Sequence, residues 1–322
     1  MKILKTILIL FTTVLYSQHR PVSTYSIVAY DEKTGELGVA VQSHWFSVGS
    51  LVPWAKAGVG AVATQSFVKI EYGPEGLELM EKGLTAQEAL DSLVSKDPGR
   101  AVRQVGMIDA KGNVAVHTGK KCIEFAGHKT GNNFTVQANI MASPTVWPLM
   151  AMTFEMTDGD LAERMMAALE TAQAEGGDLR GKQSASMLIV SGNPTGIPWK
   201  DTVLDLRVED HPEPLKQLRR LIRIHRAYRH ANKGDYYMET GNVDSALVEY
   251  NLSSSLYPEN PELKYWTAVT LAGGGRLEEA LPMFRDVFQR APELKIMTPR
   301  IIPSGLLPDE TKVLDQIMNI EK

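Results

Sequence analysis

Two kinds of hydrophobic spacing alternate in blocks along this chain. Residues 23–30 and 37–43 are β-rich runs flanking the Gly-containing turn Asp31-Glu32-Lys33-Thr34-Gly35, which reads as a β-hairpin. If Tyr30 faces Leu37, the register puts Thr24 opposite Ser43, with His44 at the same end of the ladder. Residues 59–67 read as a buried strand of small residues that ends in polar Thr64, Gln65 and Ser66. Helical spacing then takes over. One helix is predicted after Pro74 and another from Thr85, where Thr85 and Glu88 form a capping-box pattern and Ala89, Leu90, Leu93 and Val94 supply the apolar face.

The strand period returns at 102–109 and 114–118, a second hairpin around Ala110-Lys111-Gly112-Asn113, and at 134–140. Two more helices are predicted over 145–157 and 158–175. The second carries Leu161, Met165, Ala168, Leu169 and Ala172 on one stripe and is stopped by Gly176 and Gly177. Residues 183–190 and 202–208 look like closing strands. Strands and helices in separate blocks predict a layered α+β domain rather than an alternating parallel fold.

After His211 the pattern changes again. Pro212 and Pro214 open a basic helix from Leu215 to about Asn232. Beyond it Gly241, Ala246, Tyr250 and Pro258 recur 34 residues on as Gly275, Ala280, Phe284 and Pro292, which is the tetratricopeptide period. Two such repeats are too few to stand alone, so they are expected to dock on the layered domain. Their groove could hold a peptide or protein partner, or the repeats could serve packing and self-association.

Lys2 and Lys5, an apolar run over 7–16 too short to span a bilayer, and Ser17 read as a signal peptide. The expected organisation is therefore a signal peptide over 1–18, a layered domain over 22–210, a linking helix over 211–232, two repeats over 233–296 and a tail over 297–322. The mature protein is expected to be exported, periplasmic or secreted, without a stable membrane anchor.

Composition narrows the field only by exclusion. A net charge of -4 gives no general attraction to nucleic acid. The arginines 219, 220, 223, 226 and 229 fit the solvated face of one helix better than a nucleic-acid patch. The single Cys122 has no disulfide partner and no zinc cluster, and is expected to be buried and inert. His225 and His230 are five apart and do not share a helix face for a metal. Gly58 to Ala63 mimics a dinucleotide loop but leads into a strand. No metal and no cofactor are expected.

The candidate chemistry lies at the end of the first hairpin. Thr24, Ser26 and Ser43 bring hydroxyls together there, and His44 and His117 could orient a nucleophile or take a proton. Gln65 and Asn139, at strand ends, could donate to an oxyanion. Asp178 and Arg180, on a Gly-rich loop, could bind the charged ends of an amino-acid-like substrate.

Residues 22–226 resemble a widespread bacterial family of unknown function whose members are described as N-terminal-nucleophile (Ntn) hydrolase-like. The matching segments are 23–28, 35–43, Pro53-Trp54, 57–65, Gly177-Asp178, Gln183-Ser184-Ala185, and Asp205-Leu206-Arg207-Val208 with Asp210-His211-Pro212. The resemblance implies the four-layer αββα sandwich of that superfamily. It also implies a nucleophile at the start of the first strand, activated by its own α-amine. Thr24 fits that position, with Ser23 as the fallback. Signal cleavage near Ser17 or Gln18 would leave residues ahead of Thr24, so the mechanism would need a second cleavage. The function implied is an amidohydrolase acting on a small peptide-like or amino-acid-derived amide. The alternative is a non-catalytic ligand- or peptide-binding protein that keeps the scaffold and uses the helical repeats for a partner.

Overall fold

The structure is a computed structural model that describes residues 24–320. The signal peptide expected over 1–18 and the fallback nucleophile Ser23 lie outside the described residues. Strands and helices follow in blocks, as the spacing predicts. The first block is β1 (Thr24–Tyr30), β2 (Leu37–Ser43), β3 (Pro53–Lys56) and β4 (Gly60–Ser66), followed by α1 (Tyr72–Glu81) and α2 (Ala86–Lys96). Then come β5 (Arg103–Asp109), β6 (Val114–Thr118), β7 (Gly127–Gly131) and β8 (Phe134–Asn139), with α3 (Val146–Met156) and α4 (Leu161–Ala174). The strands close with β9 (Ser184–Val190), the short α5 (Pro198–Asp201) and β10 (Thr202–Val208).

These strands form two antiparallel sheets, ordered β10-β9-β2-β1-β8-β7 and β3-β4-β5-β6. The hairpin register is the expected one: Tyr30 faces Leu37 and Thr24 faces Ser43. Alternate residues of each strand feed different cores, as the period of two requires. Tyr25, Ile27 and Ala29 pack with Phe154, Leu161 and Met165 under α3 and α4. Val28 points the other way, joining Val39, Val41, Ala61, Ala63 and Ile108 between the sheets. Val62, Val105 and Met107 pack under α1 and α2 with Leu77 and Leu90. The layers therefore run helix pair, six-stranded sheet, four-stranded sheet, helix pair.

Two strands escape sequence reading for physical reasons. β3 is four residues long and begins with Pro, and β7 is the polar edge segment Gly-His-Lys-Thr-Gly, whose composition reads as a turn. Helix α1 starts two residues before Pro74, because a proline in the first turn forgoes only an amide that has no intrahelical acceptor. The capping box at Thr85 is formed: Thr85 Oγ1 accepts from the Glu88 amide, and Glu88 Oε2 accepts from the Thr85 amide at 2.8 Å.

The C-terminal region is helical: α6 (Pro214–Glu239), α7 (Val243–Leu256), α8 (Pro261–Gly273), α9 (Leu277–Arg290), α10 (Pro292–Met297) and α11 (Thr311–Met318). The helix expected to end near residue 232 runs on unbroken to Glu239. Leu215, Leu218 and Ile222 of α6 enter the core of the six-stranded sheet. Its arginine face is not simply solvated. Arg219 pairs with Glu163 and Glu170, and Arg226 with Asp160 and Glu163, tying α6 to α4. Cys122 is only partly buried, its thiol donating to the Arg103 carbonyl at 3.3 Å, and burial pushes its pKa up. Among the described residues no helix is long and apolar enough to cross a membrane.

Thr85→Ala removes one half of the capping box, and it is expected to lower stability by about 1 kcal/mol. Urea unfolding of the pure protein checks this, with an unchanged slope as the sign that only the native state was affected.

Candidate functional site

Inward-facing polar residues concentrate at one end of the space between the sheets. Thr24 pairs with Ser43 on one side and Asn139 on the other, so the starts and ends of three adjacent strands bring their side chains together. Thr24 Oγ1 donates to Ser43 Oγ at 3.3 Å. Two residues on, Ser26 Oγ donates to Gln65 Oε1 and accepts from Gln137 Nε2, both at 2.6 Å. Gln65 Nε2 reaches back from the second sheet to the Thr24 carbonyl at 3.2 Å and to Gln104 Oε1 at 2.8 Å. Asn139 Nδ2 donates to the same Thr24 carbonyl at 3.4 Å and the same Gln104 oxygen at 3.0 Å.

Gln104 is the hub. Its Oε1 accepts the two amides just named, and its Nε2 donates to Ala138 O, Gly127 O and Thr118 Oγ1 at 2.9–3.1 Å. Thr118 Oγ1 in turn meets His128 Nδ1 at 2.9 Å, so the network runs from the buried centre to the sheet edge. Burial and the neighbouring His117 lower the pKa of His128, which favours its neutral form. Thr24, Ser26, Ser43, Gln65, Gln104, Gln137 and Asn139 are all 0% exposed.

A second cluster lies beside the first. Asp178, whose side chain is fully buried, accepts from the His44 amide at 3.1 Å and from the Arg180 amide at 2.9 Å. Arg180 grips it through Nε at 3.2 Å and an Nη at 2.9 Å. The His44 ring stands next to Gly181. Tyr25 donates its hydroxyl to Gln173 Oε1 at 3.1 Å, and burial, then the Asp178 charge, raises its pKa far above the usual phenol value.

The backbone around this end is strained. Five non-glycine residues among those described have left-handed φ, and four of them, Ser47, Ser66, Phe125 and Ile140, surround the Thr24 end of the sheets. Ser66 follows Gln65, Ile140 follows Asn139, and the Phe125 carbonyl accepts from the Met141 amide. For β-branched Ile140 at φ 56 the conformation is a true outlier, and each such residue costs about 1–3 kcal/mol. Strain of this kind persists only where the surrounding structure imposes it, and it gathers at functional sites.

Of the residues singled out from sequence, Thr24, Ser43, Gln65 and Asn139 thus meet in one network, while His44, Asp178 and Arg180 form the neighbouring cluster. His44 reaches Asp178 through its backbone amide. His117 lies away from Thr24, near His128 at the outer end of the network, with Nε2 on the Arg100 carbonyl at 2.8 Å. Asp178 and Arg180 answer each other, so their charges are largely committed within the fold. Gln104 and Gln137 were not anticipated. The signal for them is polar residues at a spacing of two inside otherwise apolar strands: Gln137 with Asn139, and Gln104 across the ladder from Gln65.

A model of a family of unknown function, DUF1028, matches residues 24–218. The chain is also similar to a crystal structure of a Silicibacter pomeroyi protein described by the same family. The two are 28% identical with a TM-score of 0.56, over 62% of this chain and 88% of that one. No curated protein matches.

Gln104→Leu keeps the side-chain volume but strips two buried amide donors of a shared acceptor, at about 1–3 kcal/mol each. The expected loss is roughly 3 kcal/mol. Thermal unfolding checks it, and a near-neutral result would mean that the network is not the lock between the sheets.

Proposed function

The chain belongs to the DUF1028 family, whose function is unknown, and from its site we propose an exported amidohydrolase of the Ntn type with Thr24 as nucleophile. The observation that carries the reading is the position of Thr24: first residue of a central strand, hydroxyl on Ser43, and carbonyl held by the amides of Gln65 and Asn139. The helix–sheet–sheet–helix order of layers supports the αββα sandwich of the Ntn hydrolases, and the repeat with Gly241 and Gly275 supports tetratricopeptide-like helices behind it.

The chemistry needs one covalent event first. As an internal residue Thr24 has an amide nitrogen, which is no base. Hydrolysis of the peptide bond before it frees an α-amine. That amine takes the proton as the Thr24 oxygen attacks a substrate amide carbon, and returns it to the leaving nitrogen as the C–N bond breaks. A water then hydrolyses the Thr24 ester to free the acid and restore the hydroxyl. The amides of Gln65 and Asn139 lie beside Thr24 and are the candidate oxyanion donors, each giving up its bond to the Thr24 carbonyl to serve that role. A small peptide-like or amino-acid-derived amide is the substrate class, with the Asp178–Arg180 cluster beside the network as the candidate contact for its charged ends.

A second reading is favoured by one observation, the complete burial of Thr24. In that reading the scaffold is non-catalytic and the helical region holds a ligand or partner.

Intact mass and N-terminal sequencing of the mature protein from its native host are expected to show a chain that starts at Thr24. Thr24→Ala should lower turnover of an amide panel at least about a thousandfold, with Thr24→Ser retaining part of it. An active protein that still carries residues ahead of Thr24 refutes the Ntn mechanism.

A further inference from the structure

The helical region holds a cavity of about 660 Å³ between α6, α7, α8 and the turn at Gly305 and Leu306. That is the size of a small-ligand site. Its walls are two helical stripes. Tyr228, Asp235 and Glu239 recur along one face of α6, and Glu262, Trp266 and Thr270 along one face of α8. Tyr250 of α7 forms part of the floor. It can approach α6 closely because residue 234 is glycine, where a Cβ would stand 2.6 Å from the Tyr250 ring.

The lining is built of aromatic rings and carboxylates. Asp235 Oδ1 accepts from the Tyr250 hydroxyl at 2.6 Å, and Asn260 Nδ2 donates to the Tyr228 hydroxyl at 3.2 Å, so both rings are held. Trp266 Nε1 points to Glu262 Oε1 at 3.4 Å. Asp235, Glu239 and Glu262 bring three acidic groups, and none of the described lining residues is lysine or arginine. The basic residues nearby are engaged elsewhere: Lys233 with Glu249, Arg223 with Glu259, Lys264 with Asp286.

We propose that this cavity binds an organic cation, an ammonium or guanidinium group on an apolar chain, held by its carboxylates and by the faces of Trp266 and Tyr228. Ring faces attract cations, and the three carboxylates, none of them in an ion pair among the described residues, set the same sign. The apolar part of the ligand lies against Leu263, Val269 and Met238. The proposal rests on the second reading, in that it makes the helical region a binding module, but it is independent of any chemistry at Thr24. The cation can be carried by a free polyamine or by a lysine side chain of a peptide.

Titration calorimetry of the full protein at low salt separates these sources, with spermidine as one probe and acetyl-Gly-Lys-Gly-amide as the other. The peptide with acetylated lysine is the neutral control. Binding of either cationic probe is expected. It should weaken at least about tenfold in the Glu239→Gln/Glu262→Gln pair, with unchanged thermal unfolding, and in Trp266→Leu, which also loses packing against the helical core and unfolds at a lower temperature while still folded at the assay temperature. Acetylation should weaken the peptide by at least as much. Asp235 is left intact because it anchors Tyr250. The proposal is overturned if neither probe binds at millimolar concentration, if the variants bind as the parent does, or if the acetylated peptide binds equally. Such a failure leaves the Thr24 mechanism untouched, since the mass of the mature chain decides that separately.

Discussion

The rest of the fold depends on how two sheets can face each other with amides rather than methyl groups between them. A buried amide left without a partner costs more than a made hydrogen bond returns, so a polar cluster here must be nearly complete or the sheets would part. Gln104 meets most of that demand from the second sheet, leaving Gln137 Oε1 and Asn139 Oδ1 as the buried oxygens of the cluster without a hydrogen-bond partner among the described residues. One carbonyl oxygen accepts from Gln65 and Asn139, and one amide nitrogen donates into the β8 backbone and toward Thr118. Two strands of one sheet are thereby locked in register against two of the other. The apolar half of the same interface, around Val39, Ala61 and Ile108, gives adhesion without direction.

That division explains how the site comes to lie where it does. Apolar residues fill the interface toward the hairpin turn, where Tyr30 and Leu37 meet, and polar ones fill it toward Thr24. The strained residues Ser47, Ser66, Phe125 and Ile140 gather at the same polar end. Strands that stop together, each turning sharply, leave their terminal side chains converging on a small volume. The backbone strain is the cost of that convergence, and the amide network is strong enough to hold it.

Much of this is legible in the sequence. The period of two places Thr24 against Ser43, and the blocks of strand and helix spacing give the layer order. The 34-residue recurrence marks the helical region because its turn glycines, Gly241 and Gly275, both need positive φ. What sequence reading misses is of two kinds. Gln104 and Gln137 sit inside strands, where a polar residue looks like an outward-facing one until the second sheet is known to cover it. Ser66, Phe125 and Ile140 carry no local sign of left-handed backbone, since tertiary packing imposes it on residue types that avoid it. Helix α6 misleads for a related reason: its arginines look solvated until Glu163, Glu170 and Asp160 of α4 are placed beside them.

Those ion pairs fasten α6 to the layered domain. Individually, partly exposed pairs contribute little, yet here they act together with Leu215, Leu218 and Ile222, which α6 buries in the core under α4. One unbroken helix is therefore a structural member of the layered domain at its start and a wall of the helical cavity at its end. Bending of α6 would disturb the α4 contacts, and α4 in turn packs on β1 and β2, the strands that carry Thr24 and Ser43. The strands of the amide lock and the helical cavity are thus joined through α4 and α6.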